Sequence, residues 1–376
     1  MNEAYQQFRS TARPCRPTRR EFLQCSLVGG LGLAGRCVVP FEAPESARDD
    51  RAVVLIVNVG GPSHVDTWDP KPDAPAETRG PFRAIRTSVP GIFLSELFPR
   101  QARIAHLQAF VRACCHPAPA VHQVGWQMAQ TGREYPAANH APHAADVVAR
   151  LCAQRSGWPT HVTLPCDTEP VAVAHERLAP HCSRLLAREP VHIQERYGAS
   201  RFGQQCLLAR CLIEAGTRFV TIRTCNDYRD PDSWDVHGGP EFGTVESMSR
   251  GFAPVFDQAY SALVEDLAQR GMLDTTLVCC VAEFGRTPRM NPAGGRDHWP
   301  QCWTTVLAGG GVRGGQVVGA SDASGGQPAD RPVSPAEIVG TIYRSLHLLA
   351  DPTRRQTSVA DLALIPSSMR PIEELF

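Results

Sequence analysis

Thr276-Leu277-Val278-Cys279-Cys280-Val281 runs without a break into Ala282-Glu283-Phe284-Gly285-Arg286-Thr287-Pro288. From Leu277 on, the first half is apolar without alternation, the pattern of a strand buried on both faces of a sheet. The second half places Glu283 and Arg286 in a Gly/Pro-rich loop directly after that strand. Ligands and reacting groups of α/β proteins gather on loops at the carboxyl ends of strands. Outward from this stretch, three more blocks share its character. They are Gly294-Gly295-Arg296-Asp297-His298-Trp299-Pro300, Trp234-Asp235-Val236-His237-Gly238-Gly239, and Gly60-Gly61-Pro62-Ser63-His64-Val65-Asp66, the last following the apolar run 53–59. Four such loops carrying Asp, Glu and His point to one metal site assembled from distant segments.

The rest of the second half alternates in the same way. Residues 202–216 read as a helix with Phe202, Cys206, Leu207 and Ile213 on one face and Gly216 as its C-cap. Strand 219–222 follows. Helix 255–271 carries Phe256, Tyr260, Leu263, Val264 and Leu267 at helical spacing. Strands 276–281 and 304–307 come next. Ser334-Pro335-Ala336-Glu337 opens a last helix, with Ser334 as N-cap, Pro335 at the first position and Glu337 completing a capping box. This order predicts an α/β fold: a three-layer αβα sandwich around a mostly parallel central sheet. Residues 66–100 read mostly as loop, and 112–150, with histidines among Ala and Pro, match neither period.

The 376 residues carry 38 Lys plus Arg against 38 Asp plus Glu. That balance favours neither nucleic acid nor an anionic membrane as partner. Near the N-terminus, Arg19-Arg20-Glu21-Phe22-Leu23 precedes a short Gly/Leu stretch, residues 25–35. Paired arginines before so short an apolar run predict a twin-arginine signal, too short to span a bilayer. Residues 1–50 are thus expected to be signal and flexible linker, and 51–376 a single domain. The expected location is periplasmic or secreted, through the twin-arginine machinery. The chain holds 14 cysteines and no C-x-x-C. Mostly buried thiols are expected, with room for a disulfide in an oxidising compartment and no thiolate metal site.

Asp235 with His237, Glu283, Asp297 with His298, and His64 with Asp66 are the candidate metal ligands. Carboxylate plus imidazole suits zinc or manganese better than calcium or magnesium, which prefer oxygen. Neighbouring Asp297 and His298 rarely reach one centre together, so His298 is the expected ligand and Asp297 a second ligand or a support for an imidazole. Arg286 is expected either to pair with Glu283 or to bind an oxyanion bidentately. The Gly60-Gly61 pair lets backbone approach closely and offers an anion cradle, without the spacing of a dinucleotide motif.

Taken together, the blocks resemble the exported bacterial family known as domain of unknown function 1501. The resemblance rests on G-G-P-S-H-V-D-T-W-D-P-K-P (residues 60–72), E-R-Y-G (195–198), W-D-V-H-G (234–238), E-F-G-R-T-P (283–288), G-R-D-H-W-P (295–300) and A-G-G-G-V-R-G-G-Q (308–316). That family is similar to the alkaline phosphatase and sulfatase superfamily, which implies an alkaline-phosphatase-like fold with one or two divalent metals at the strand ends. By the resemblance, Asp235 and His237 match a D-x-x-x-H pair loosely, Glu283-Phe284-Gly285 matches D-H-G, and His298 matches a late metal histidine. Three departures stand out. Phe284 replaces a metal histidine. Val59 stands where the first strand would supply an Asp, leaving His64 or Asp66 to substitute. Counting back from Thr131-Gly132 by sulfatase spacing, with Arg133 following, reaches His122 where a nucleophile would stand. His122 is therefore a candidate ligand, general acid/base or covalent nucleophile.

The expected function is an exported metal-dependent hydrolase of small-molecule or glycan phosphate or sulfate esters. Metal-activated water would be the nucleophile, with His122 and Arg286 as catalytic residues. The alternative is a non-catalytic metal- or glycan-binding protein on a retained hydrolase scaffold.

Overall fold

The computed structural model describes residues 50–376 apart from 135, 153, 155–156, 165–171, 231, 351–357 and 360–361. The twin-arginine stretch and its linker lie outside the described residues. Asp49–Phe376 forms one compact unit.

Its centre is a seven-stranded sheet. In chain order the strands are β1 (Ala52–Asn58), β2 (Gln108–Cys114), β3 (His161–Leu164), β4 (Phe219–Arg223), β5 (Thr276–Ala282), β6 (Trp303–Ala308) and β7 (Gln316–Val318). Their spatial order is β7-β2-β6-β5-β1-β4-β3. All pairings are parallel except those of β6, which runs antiparallel to both β2 and β5. Every residue of β1 and of β5 is buried, as unbroken apolar runs require of a sheet covered on both faces.

The two faces have separate cores. Val54, Ile56, Val220, Ile222, Val278 and Cys280 pack under α5 (Arg201–Glu214) and α6 (Phe252–Gln269). Val53, Leu55, Val57, Leu277, Cys279 and Val281 pack under α1 (His122–Thr131), α2 (Ala144–Leu151) and α7 (Pro335–Ser345). Helices α3 (Ala172–Arg188) and α4 (Val191–Tyr197) also pack on the α5 side. The expected mostly parallel αβα sandwich is the observed architecture. Ser334 caps α7, with both bonds of the capping box formed, and this holds the N–H groups that a helix start leaves unpaired.

The ten described cysteines are all free thiols, eight of them buried. Adjacent Cys279 and Cys280 feed opposite cores, as strand alternation demands. No helix among the described residues is long and apolar enough to cross a membrane.

Candidate metal centre

Parallel strands β1, β4 and β5 end side by side, so the loops that leave them meet above one edge of the sheet. The β5 exit carries Glu283 and Arg286, and the β4 exit runs through Tyr228 to Asp235 and His237. His298 stands in a two-residue strand paired with Gly285–Arg286. Helix α1 brings His122 as its first residue. Its approach is close: a Cβ on Gly125 would lie 2.5 Å from the Glu283 carbonyl oxygen. Gly60 takes φ +95°, and a Cβ there would lie 2.4 Å from the Asp235 nitrogen. Only glycine admits that conformation and that contact together.

Asp235 Oδ1 is the focus. His122 Nε2 stands 3.5 Å from it, and the Nε2 atoms of His237 and His298 each stand 3.1 Å away. The His237 and His298 Nε2 atoms are 2.9 Å apart. Each ring's other nitrogen has its own acceptor. His122 Nδ1 meets Glu283 Oε2 at 2.5 Å, His237 Nδ1 meets Asp297 Oδ1 at 3.3 Å, and His298 Nδ1 meets the Ala120 carbonyl at 3.0 Å. Asp235 Oδ1 is an acceptor beside each Nε2 as well, so without a metal the imidazole protons can bridge to it; with a cation at the centre, the acceptor behind each Nδ1 would take the ring proton and leave Nε2 as a ligand atom. Three imidazole nitrogens and a carboxylate oxygen thus converge on one another, an arrangement suited to a cation. Carbonyl or carboxylate support of the far ring nitrogen is also the usual setting of metal-bound histidine.

The spacing fits as well. Ligand atoms about 2.0–2.2 Å from a tetrahedral ion stand about 3.3–3.6 Å from each other. Among the described residues, His122, Asp235 and His298 form the one group of three His, Cys, Asp or Glu able to hold a metal, their ligand atoms all within 4.8 Å of one another. His237 joins from the His298 side.

Charges follow from burial and partners. Burial opposes ionisation of Asp235, yet the three imidazoles and Arg286 outweigh it and hold the carboxyl well below its usual range. Burial pushes the Glu283 carboxyl up, only partly offset by His122. On His122, burial is outweighed by Asp235 and Glu283, so the imidazole is raised; on His298, burial wins and it is lowered.

Several expected ligands and roles are placed differently. Glu283 touches the centre only through His122, its other oxygen accepting from the Gly60 N–H at 3.3 Å. Asp297 stands behind His237 and also accepts from Asn291. His64 and Asp66 do not join the centre. Asp66 is buried in a bidentate pair with Arg296, at 2.6 and 3.0 Å, and His64 Nε2 bonds the Gly325 carbonyl at 2.8 Å. The physical reason is that the carboxylate nearest a buried guanidinium is taken by it, and Arg296 was read only as a loop residue.

Arg286 pairs with Asp235, not Glu283. Its five N–H groups meet the carbonyls of Gly60, Gly61 and Arg296, Asp235 Oδ1, and His237 Nε2. No donor is left for an oxyanion, which corrects the clamp expected of it. The Gly60-Gly61 pair turns carbonyls towards this guanidinium, so it is not an anion cradle either.

Two aromatic residues frame His122, Phe284 from the E-F-G-R-T-P block and Tyr228, which no motif marked. Tyr228 stacks on its ring with centroids 3.7 Å apart. Phe284 lies 5.2 Å from His122 and 4.4 Å from His298. Tyr228 comes from a polar loop with no pattern of its own and could not be singled out by sequence. Tyr228, Asp235, Phe242 and the exposed Arg229–Glu241 ion pair line a cavity of about 390 Å³ beside the centre.

The chain matches the family model described as "Protein of unknown function (DUF1501)" over residues 50–180 and 183–374, and it belongs to that family. No curated protein matches it in sequence. Among solved structures, it is similar to the C-terminal periplasmic domain of EptC from Escherichia coli in complex with zinc. That likeness has 11% identity and a TM-score of 0.41, covering 80% of this chain and 84% of that one. It is similar to a phosphonate monoester hydrolase from Silicibacter pomeroyi at 11% identity and a TM-score of 0.40, covering 79% and 73%. A Bacteroides thetaiotaomicron protein of glycosaminoglycan metabolism gives 11% identity and a TM-score of 0.45, covering 85% and 78%.

Proposed function

We propose that this DUF1501 protein is an exported, metal-dependent hydrolase of phosphate or sulfate esters. The observation that carries the reading is the convergence of His122, His237 and His298 Nε2 on Asp235 Oδ1, each imidazole held from behind by its own acceptor. The residues that would hold the ion are His122, Asp235 and His298, with His237 beside them. Imidazole with one carboxylate favours zinc or manganese. A divalent ion held there would supply Lewis-acid polarisation of the ester and activation of water, so no protein nucleophile is required.

The chain's own groups have separate tasks. Glu283 keeps the proton on His122 Nδ1 and so keeps Nε2 available. Arg286 fixes Asp235 and His237 in place. Tyr228 and Phe284 hold the His122 ring plane. The cavity beside Asp235 would receive the alcohol half of the ester. His122 is assigned as a ligand in preference to an acid, because its Nε2 faces the same point as the others. Export would depend on Arg19 and Arg20, whose guanidinium pair is read by a receptor.

The test is hydrolysis of generic aryl phosphate and aryl sulfate esters by the metal-loaded protein, with chelator and with His122→Ala as controls. The reading predicts chelator-sensitive turnover of one ester class. In His122→Ala, both metal content and turnover should fall, the latter by about 10²-fold or more. A metal-loaded parent that turns over neither class would overturn the hydrolase reading and leave a metal-binding protein.

A further inference from the structure

We propose that the centre takes a single metal ion, and that the guanidinium of Arg286 occupies the place of a second cation; this rests on the metal reading above. Arg286 is 1% exposed, and two of its five N–H groups go to Asp235 Oδ1 and His237 Nε2. Those two atoms also face the cluster. One fixed positive charge therefore already bridges a carboxylate and an imidazole that a second ion would need to share. In two-metal hydrolases the ions stand about 3.5–4 Å apart and clamp the reacting group between them. The guanidinium holds that ground and cannot leave it, because the carbonyls of Gly60, Gly61 and Arg296 tie down its remaining donors.

The other side is closed by chemistry rather than charge. The Phe284 ring packs against both His122 and His298 and offers no ligand atom. Both Glu283 oxygens are taken, by the Gly60 N–H and His122, and Asp297 Oδ1 is taken by His237 and Asn291. The arginine also keeps Asp235 aimed in the absence of metal, so the ligand set is preorganised.

The experiment is equilibrium dialysis of the metal-free full-length parent, Arg286→Lys and Arg286→Gln against Zn²⁺, with zinc per chain measured by elemental analysis and folding by circular dichroism. The expected counts are one zinc per chain for the parent and for Arg286→Lys, and more than one for folded Arg286→Gln. Two zinc ions on the parent would overturn this proposal while leaving the metal reading intact. No zinc on the parent would overturn the metal reading itself. A folded Arg286→Gln that stays at one zinc would overturn the role given to the guanidinium. If Arg286→Gln does not fold, the parent's count decides between one ion and two.

Discussion

Two buried arginines separate Asp66 from Asp235 in this protein. Arg296 and Arg286 are both buried, and each has acceptors for all five donors. Asp66 belongs to the first and Asp235 to the second. The sequence made His64–Asp66 and Asp235–His237 look equivalent, since both are i, i+2 pairs in Gly-rich loops after apolar runs. What distinguishes them is which arginine arrives from elsewhere in the chain, and spacing carries no trace of that. Asp235, His237 and His298 could be read because each sits beside a glycine-rich turn after a strand. His122 was reachable only by counting from Thr131-Gly132. The difference is testable. Asp66→Asn leaves the Arg296 charge buried without its partner and should cost about 3–5 kcal/mol of stability. Its metal content per folded chain should match the parent's. Loss of metal in folded Asp66→Asn would return Asp66 to the ligand set.

At the scale of elements, helix α1 and strand β3 carry the consequences. The pattern of residues 112–150 hid α1, because Gly125 and the Gln/Thr-rich face of the helix weaken its period. That same glycine lets the helix lie against Glu283. Gly125→Ala gains about 1 kcal/mol of helix propensity, but its Cβ meets a backbone oxygen at 2.5 Å, so displacement of the helix should dominate, at about 1–3 kcal/mol. A lower melting temperature with reduced metal content is expected; a higher one with full metal content would refute the close approach. On β3, His161 bonds Thr163 and Thr221, and burial lowers its pKa to about 4, against the weaker pull of Asp146 and with His143 acting in the same direction as burial. The unfolded imidazole titrates at about 6.5. Between those values the unfolded chain binds a proton that the fold excludes, so stability is complete above about pH 6.5 and falls as pH drops towards 4. Denaturant titrations should show a loss of about 1–3 kcal/mol over that window. His161→Gln should flatten the slope, and an unchanged slope would place its origin elsewhere.

The whole molecule is a sandwich whose strands were mostly legible as unbroken apolar runs. β1, β4, β5 and β6 fall within two residues of the expected 53–59, 219–222, 276–281 and 304–307. β2, β3 and β7 were not singled out; β3 and β7 are short, and β2 runs only at its end into the histidine-containing region 112–150. The antiparallel course of β6 has a plain cause: no helix lies between β5 and β6 to carry the chain back across the sheet, as a parallel crossover requires. That reversal brings the loop before β6, with His298, back over the β5 exit. The sheet thereby gathers the ends of β1, β4 and β5 and the approach to β6 around Asp235, and the account stands or falls on whether a metal sits there. The most direct measurement is elemental analysis of the protein purified without chelator, beside His298→Ala, with melting temperatures taken on both. A bound ion stabilises the fold by mass action, so the account predicts zinc or manganese in the parent and a joint loss of metal and thermal stability in His298→Ala. A parent without bound metal, or a His298→Ala variant that binds it as tightly, would contradict it.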